Sequence, residues 1–210
     1  MRVPEPLRKL DWELPHNFLG LDEEASAFDP AGVVILPVPY EATTSFGAGT
    51  GAGPAAIIEA SRYIELYDQE LDREPYEVGI ATLPALSLTG AGPKEALHEL
   101  REAYDALLDA APGKLVIALG GEHSISSAPI LAWADRLQQQ GRRLSVLQVD
   151  AHTDLRPEYE GSPYSHASIM ARVQDRVEIV AVGIRAITSE EMQVVRKSEN
   201  IHVFLADDIH

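Results

Sequence analysis

The segment whose residue types point most directly to chemistry is Asp150-Ala151-His152-Thr153-Asp154. It follows an apolar run, Leu144 to Val149, that has the length and composition of a buried strand. If the chain stays extended past the strand, residues two apart project to the same side, so two carboxylates and an imidazole converge. A single aspartate at such a place commonly caps a helix or solvates a turn. Three potential ligand residues at alternate positions directly after a strand favour a binding site.

A second polar segment, Gly120-Gly121-Glu122-His123-Ser124, follows another apolar run, Leu115 to Leu119. The paired glycines allow a tight turn with backbone angles that other residues avoid. On its own, His123 could equally be a hydrogen-bonded surface residue. We expect both apolar runs to lie in one parallel sheet, and ligands bind beyond the carboxyl ends of such strands. The two segments together therefore predict one site at that edge of the sheet.

The donor set of these two segments indicates a metal centre whose members are His123, Asp150, His152 and Asp154. The chain has no cysteine, which excludes thiolate zinc sites, iron–sulfur clusters and cysteine nucleophiles. Imidazole and carboxylate donors without sulfur suit a borderline divalent ion such as Mn2+. The supply of oxygen atoms also suits two ions that share one carboxylate, and such a pair lowers the pKa of a water molecule between them.

Two further segments border this predicted site. The loop Tyr159 to Ser168 is rich in turn-forming residues and carries His166, which is either a proton shuttle or a loop-capping residue. The stretch Gly47 to Gly53 has a glycine at every second position, but it lacks both the Gly-Lys-Ser/Thr ending of a phosphate loop and the spacing of a dinucleotide loop. We therefore expect a close-packed loop beside the pocket rather than a nucleotide site.

The order of the predicted elements indicates the α/β class, because apolar runs of strand length alternate with helical patterns. Near-continuous apolar runs are typical of a mainly parallel sheet covered on both faces. We expect an N-terminal arm over residues 1–32 and a single α/β domain over residues 33–210. The predicted strands are Val33–Val38, Val78–Ala81, Leu115–Leu119, Leu144–Val149, Val177–Ile184 and Ile201–Leu205, and the predicted helices are Pro54–Tyr67, Pro93–Leu108, Ser127–Gln140 and Thr188–Lys197.

The charge balance restricts the partners. The chain has 210 residues with 17 basic and 33 acidic side chains, so its formal charge is 17 − 33 = −16. This excess of negative charge argues against nucleic acid and fits a small cationic substrate. The first residues do not form a targeting segment, and the apolar runs are far shorter than the ~20 residues that span a bilayer. We therefore expect a cytoplasmic protein that does not bind membranes.

The two ligand-bearing segments resemble the first two metal signatures of the ureohydrolases, the arginase and agmatinase family. The loop from Ser45 to Pro54 is similar to the early glycine-rich motif of that family. The resemblance covers the chain from about Val33 onward. It implies a three-layer α/β/α fold with a mainly parallel sheet. It also implies hydrolysis of a guanidinium group to urea and an amine, with two manganese ions as cofactor.

The resemblance also implies a role for each matching residue. His123, Asp150 and Asp154 would bind one manganese ion, and His152 with the shared Asp150 would bind the second. Asp154 would in addition hydrogen-bond the attacking hydroxide. His166 matches the active-site histidine that assists proton transfer to the leaving amine. The catalytic residues implied in this way are Asp154 and His166.

The same resemblance favours an agmatinase over an arginase. Arginases carry an asparagine two residues before the active-site histidine, where it holds the α-carboxylate of the substrate, and here that place is Tyr164. The expected reaction is therefore agmatine to putrescine and urea, with another guanidino compound such as guanidinobutyrate as the alternative. Ala167 departs from the glycine that follows the histidine in many agmatinases. The family also implies a homo-oligomer.

The third signature of the family, an Asp-x-Asp after a later strand, is missing from these 210 residues. The chain reads Ala206-Asp207-Asp208 after its last predicted strand, and adjacent residues of an extended segment point to opposite faces. We therefore expect a fold that is truncated at its C-terminal end. The alternative to a catalytic role is a non-catalytic or truncated subunit that keeps this fold. A deacetylase on the related fold is a third, although those enzymes use one zinc ion and a different histidine arrangement.

From this missing signature we predict that residues 1–210 alone bind manganese poorly and turn over slowly or not at all. The two carboxylate ligands of the missing third signature are absent from these 210 residues, and each lost ligand weakens the binding of the ions. A manganese titration of the purified 210-residue polypeptide, followed by elemental analysis, measures this. Saturable uptake of two ions per chain would contradict it.

Overall fold

The computed structural model describes residues 16–209. Residues 1–15, which belong to the predicted N-terminal arm, and His210 lie outside the described residues. The described chain divides into two compact units. The first unit comprises residues 16–41, 49–87 and 107–121, and the second comprises residues 42–48, 88–106 and 122–209.

Eleven regular elements alternate between strand and helix in most of the chain, as expected for an α/β protein. In chain order they are β1 (Val33–Val38), α1 (Gly53–Ser61), β2 (Ile80–Thr82), α2 (Pro93–Ala110), β3 (Leu115–Gly120), α3 (Ser127–Gln139), β4 (Leu144–Val149), α4 (Ile169–Val173), β5 (Val177–Ile184), α5 (Ser189–Lys197) and β6 (Ile201–Leu205). Short 3-10 turns lie between several of them.

The first unit contains a three-stranded parallel sheet in the order β2-β1-β3. Its central strand, β1, is an apolar run that is almost wholly buried, as the continuous pattern predicts. Residues 16–32, the described part of the predicted arm, belong to this unit. They are tied to it by bonds such as Phe18 N–H to Thr82 Oγ1 at 3.0 Å and Ile80 N–H to the Ala25 carbonyl at 2.9 Å. The boundary at residue 32 stays a prediction.

Helix α1 ends at Ser61, six residues before the predicted end at Tyr67. The side chains that follow, Tyr63, Ile64 and Tyr67, are exposed, so an extension of the helix would gain no burial. Aromatic and β-branched residues also have modest helix propensity. In α2, by contrast, the predicted apolar face is buried, and its members are Ala96, Leu97, Leu100, Tyr104, Leu107 and Leu108.

The second unit contains another three-stranded parallel sheet, in the order β4-β5-β6. Its core lies between β5 and the helices around it. Ile179 and Ile184 of β5 pack in one cluster with Ile169 and Val173 of α4, and all four are almost completely buried. This cluster anchors the short helix α4, which follows the loop that carries His166.

The expectation that β3 and β4 lie in one sheet is wrong for the described residues, because β3 pairs with β1 and β4 pairs with β5. Each of the two is therefore an edge strand. This explains why β4 is not buried as its apolar run predicts: Leu147 is 68% exposed and Val149 is 79% exposed. Parallel pairing and the α/β class are as predicted. None of the described helices combines the length and the hydropathy that a membrane span requires.

Candidate metal centre

Three of the four predicted ligands come together in the second unit. His123, Asp150 and Asp154 each offer one ligand atom, and these atoms lie within 4.8 Å of one another. His123 Nε2 is 3.3 Å from Asp150 Oδ2 and 3.3 Å from Asp154 Oδ2. Donors bonded to one ion at about 2.0–2.2 Å lie roughly 3.0–3.4 Å apart, so this spacing fits a shared cation.

Two atoms of this group lack hydrogen-bond partners. His123 Nε2 and Asp154 Oδ2 are both buried atoms, and neither makes a hydrogen bond within the described residues. Their 3.3 Å contact does not have the direction of a hydrogen bond. Buried polar groups are nearly always satisfied, and one left unpaired costs about 1–3 kcal/mol. A divalent cation between these atoms would satisfy both, so the residues present fit a metal ion.

The electrostatics of the group also favour a cation. Burial of the His123 imidazole lowers its pKa, but the adjacent Asp154 carboxylate and the charge of Asp150 raise it by more, so the net shift is upward. A raised histidine pKa means that positive charge is stabilised at this point. The same negative charge would stabilise a metal ion there.

His123 is placed by the turn after β3. The residue two before it, Gly121, lies so close to the Tyr40 backbone that an added Cβ would be 2.2 Å from the Tyr40 carbonyl oxygen, which only glycine allows. His123 then begins a 3-10 turn, His123–Ser126. Its Nδ1 contacts Ser126 Oγ at 3.1 Å, which leaves Nε2 directed at the two aspartates. When a histidine binds a metal ion through one ring nitrogen, a hydrogen bond at the other ring nitrogen fixes the orientation of the ring.

Asp154 is held in a left-handed backbone conformation, with a φ of 51°. For a residue other than glycine this costs on the order of 1–3 kcal/mol, so the surroundings must enforce it. The buried Glu191 does so, because its Oε1 accepts hydrogen bonds from Thr153 Oγ1 at 2.9 Å and from Leu155 N–H at 3.1 Å. The Asp154 carbonyl also accepts a bond from Ala171 N–H at 3.1 Å. The predicted extended segment therefore ends before Asp154.

His152 lies beside the group but outside it. Its Nδ1 is 3.5 Å from Asp150 Oδ1, the oxygen that also accepts the His152 N–H at 2.9 Å. The side chain of His152 is 65% exposed. The two oxygens of the Asp150 carboxylate thus contact the imidazoles of His123 and His152, one each. This is the arrangement in which Asp150 could serve two ions.

A cavity of about 450 Å³ adjoins the group, and His166 lies in its wall. The cavity is lined by Ser45, His152, Asp154, Arg156, Tyr159, His166, Ala167, Ala186, Ile187, Thr188 and Glu191. The ring of Tyr159 packs edge-on against the His166 ring, with centroids 5.7 Å apart. Asp154 and His166, the two residues with an implied catalytic role, therefore border the same space.

One expectation about the surrounding loops needs correction. The glycine-rich segment is not close-packed, since residues 45–50 are exposed and Phe46 is 99% exposed. Its backbone is held instead by Glu41, whose carboxylate accepts bonds from Gly49 N–H and Gly51 N–H at 2.7 Å each.

Tyr164 does not line the cavity of His166. Its ring lies under the Arg172 guanidinium, 4.3 Å away, beside a second cavity of about 420 Å³.

Residue types and spacing alone indicate no role for three residues that support the site: Thr43, Glu122 and Glu191. Glu122 is 3% exposed and lies between Gly121 and His123. Burial raises the pKa of Glu122, but hydrogen bonds from Ser124, Thr43 and Ala42 lower it by more, so the carboxyl ionises below its ordinary range. The capping-box spacing of Thr188 and Glu191 does predict the start of α5, which the structure confirms, but not the bonds of Glu191 to the Asp154 segment.

Comparison with known proteins decides the family. The sequence model described as "Arginase family" matches residues 31–210, which is all but the first 30 residues of the chain. The chain belongs to the arginase family. An N(1)-aminopropylagmatine ureohydrolase of Synechocystis sp. is 37% identical to this family member over 201 residues, which are 93% of this chain and 63% of that protein. An agmatinase of Bacillus anthracis is 35% identical over 170 residues, 80% of this chain and 57% of that protein.

The fold is shared as well. The crystal structure of an agmatine ureohydrolase of Thermoplasma volcanium matches with a TM-score of 0.77 at 24% identity, covering 98% of this chain and 66% of that one. The predicted fold class and the predicted family are thereby confirmed. The arginase-family chain spans 63% and 57% of the length of the two relatives named above.

The contribution of Glu191 to the stability of the fold should depend on pH. Burial raises the pKa of this carboxyl, but its bonds with Thr188, Thr153 and Leu155 lower it by more, so the net shift is downward from 4.5. A group whose pKa is lowered by folding stabilises the fold above its unfolded pKa and loses this effect as the pH falls through its folded pKa. Glu191→Gln should therefore lower the free energy of unfolding by about 2–3 kcal/mol at pH 7.

Urea unfolding of wild type and variant between pH 7 and pH 3 measures this, and the difference should shrink below about pH 4.5. Glu190→Gln is the control, since the neighbouring carboxylate on α5 is exposed, and its effect on the free energy of unfolding should be much smaller than that of Glu191→Gln. Equal losses in the two variants, or a Glu191→Gln loss that does not change with pH, would contradict the account.

Proposed function

We propose that the protein hydrolyses a guanidinium C–N bond of a small guanidino compound, releasing urea and an amine, with manganese bound at the His123, Asp150 and Asp154 group. The observation that carries this proposal is the pair of buried, unpartnered atoms, His123 Nε2 and Asp154 Oδ2, beside the cavity that holds His166. Relatives named agmatinase and N(1)-aminopropylagmatine ureohydrolase support the reaction class.

The residues divide the proposed chemistry between them. His123, Asp150 and Asp154 would hold one ion, and His152 with the shared Asp150 would contribute to a second. When bound there, divalent manganese supplies the Lewis acidity that lowers the pKa of water. The Asp154 carboxylate would accept a hydrogen bond from the attacking water and so orient it toward the planar guanidinium carbon. The His166 imidazole would deliver a proton to the departing amine nitrogen.

The substrate proposed first is agmatine, which would give putrescine in polyamine biosynthesis. Tyr164 replaces the carboxylate-binding asparagine of arginases, and its ring lies against Arg172 rather than in the cavity. The relatives named for N(1)-aminopropylagmatine support a longer amine of the same class. Cytoplasmic location and homo-oligomeric assembly stay predictions.

A guanidino acid such as guanidinobutyrate is the second candidate, and one observation favours it. Arg156 lines the cavity, with its guanidinium 4.9 Å from the centroid of the Tyr159 ring. A cation in this position would attract a substrate carboxylate and repel a substrate amine. Urea release from agmatine, N(1)-aminopropylagmatine, guanidinobutyrate and arginine should be measured side by side. With wild type we expect the amines to have the higher kcat/KM.

The same assay with Arg156→Gln separates the two candidates. If the substrate is an amine, loss of the Arg156 charge should leave its KM unchanged or lower it. If the substrate is a guanidino acid, the KM should rise about tenfold or more, since a charge-assisted bond contributes about 1.5–3 kcal/mol. Absence of urea release from all four compounds by metal-loaded, full-length gene product would overturn the proposed function.

The proposed metal role of Asp154 is tested by Asp154→Asn. The substitution keeps the side-chain size but removes the charge of an oxygen that we propose to bind the ion, so manganese affinity should fall at least about tenfold. Asp175→Asn, at an exposed aspartate of the same unit, is the control and should change nothing. Elemental analysis and isothermal titration of the full-length gene product give the ion content. Undiminished affinity in Asp154→Asn would remove this residue from the site.

The proposed role of His166 predicts a different pattern. His166→Asn should lower kcat by about 10²- to 10⁴-fold, which is the usual contribution of a positioned proton donor, with the metal content unchanged. His202→Asn is the control, because His202 lies on β6 and contacts Glu178 at 3.4 Å, outside the cavity. Steady-state kinetics with elemental analysis measures both variants. A His166→Asn protein with near wild-type kcat would exclude the proton transfer.

A further inference from the structure

Glu122 is a buried carboxylate whose bonds go to a distant loop rather than to a cation. Its Oε2 accepts Ala42 N–H at 2.6 Å and Thr43 N–H at 2.5 Å. Its Oε1 accepts the Thr43 hydroxyl at 2.7 Å and also the Ser124 hydroxyl. Within residues 16–209 no basic side chain forms an ion pair with it. Glu122 is also outside the group of metal-ligand atoms.

Thr43 connects this carboxylate to His166. A threonine hydroxyl has one proton, and that of Thr43 is committed to Glu122 Oε1. Thr43 Oγ1 therefore acts toward other groups as an acceptor, and it accepts the His166 N–H at 3.1 Å. His166 Nδ1 lies 3.5 Å from the same oxygen. The ring and the backbone of His166 thus both face an oxygen whose lone pairs Glu122 has fixed in direction.

We propose that Glu122 is a positioning residue for His166 and acts through the Thr43 hydroxyl. The inference rests on the proposed function, in which His166 delivers the proton to the leaving amine. An acceptor beside Nδ1 favours the neutral ring that carries its proton on Nδ1. The other nitrogen, Nε2, is then the one that takes up and releases the transferred proton. Ser165 Oγ, 3.4 Å from Nδ1, lies on the same side of the ring.

The decisive variant is Thr43→Val, which keeps the shape of the side chain and removes the hydroxyl. Misplacing a reacting group by a small distance, or removing the partner that orients it, costs about 10- to 100-fold in rate. We expect Thr43→Val to lower kcat by about that factor while KM and manganese content hold. Thr43→Ser retains the hydroxyl and should restore kcat to within about threefold of wild type.

The matched control is Thr89→Val. Thr89 also donates its hydroxyl to a carboxylate, that of Glu99 at 3.2 Å, but on the exposed surface and outside the cavity. It should change neither kcat nor KM. A kcat for Thr43→Val within twofold of wild type would overturn the inference. So would a Thr43→Ser protein as impaired as Thr43→Val, because the loss would then follow from packing rather than from the hydroxyl.

A second readout does not depend on turnover. Nitrogen-15 NMR of histidine-labelled, metal-free full-length gene product at pH 8.5 reports which ring nitrogen of neutral His166 carries the proton. We expect the Nδ1–H form in wild type, in Thr43→Ser and in Thr89→Val, and a shift toward the Nε2–H form in Thr43→Val. If wild type shows mainly the Nε2–H form, the inference fails, whether or not Thr43→Val folds.

The two readouts keep the inference separate from the proposed function. If metal-loaded wild type releases no urea but the NMR pattern is as expected, the proposed function fails and Glu122 still orients His166 through Thr43. If urea is released and His166→Asn abolishes it while Thr43→Val leaves both kcat and the NMR pattern unmoved, the proposed function stands and the positioning role is refuted.

Discussion

The rest of the site depends on two buried atoms, His123 Nε2 and Asp154 Oδ2. They face each other, and neither has a hydrogen-bond partner in the part of the chain that the structure describes. A fold that buries such groups unpaired gives up stability that a bound cation would return. The cation would also neutralise the repulsion between the Asp150 and Asp154 carboxylates. The shared contacts of Asp150 with two imidazoles then extend the same centre toward the cavity.

The buried carboxylates of this unit fall into two kinds. Asp154 keeps an oxygen without a partner, whereas Glu122 and Glu191 use theirs to accept hydrogen bonds from backbone N–H groups and hydroxyls. Glu191 enforces the left-handed backbone at Asp154, and Glu122 ties the loop of Thr43 to the turn of His123. Because these glutamates satisfy the loop donors, Asp154 Oδ2 remains without a hydrogen-bond partner among residues 16–209. Glu122 and Glu191 thus orient the ligand residues, whereas the ligand residues themselves would bind the ion.

Much of the fold could be predicted because local patterns determine it. The apolar runs locate β1, β3, β4, β5 and β6 within a residue at either end, and the Thr188–Glu191 spacing predicts the start of α5. Pairing between strands could not be predicted, because a run such as β4 reads as buried although it forms an edge. The left-handed φ of Asp154 and the Thr43–Glu122 bond depend on residues far apart in sequence, 79 positions in the second case.

The central claim is that one cation lies between His123, Asp150 and Asp154. Anomalous X-ray diffraction from crystals of the full-length gene product grown with manganese, recorded on both sides of the manganese absorption edge, tests it most directly. The account predicts a peak in the anomalous difference map in contact with His123 Nε2, Asp150 Oδ2 and Asp154 Oδ2. A map with no peak among these three atoms at saturating manganese, or with a peak only elsewhere, would contradict it.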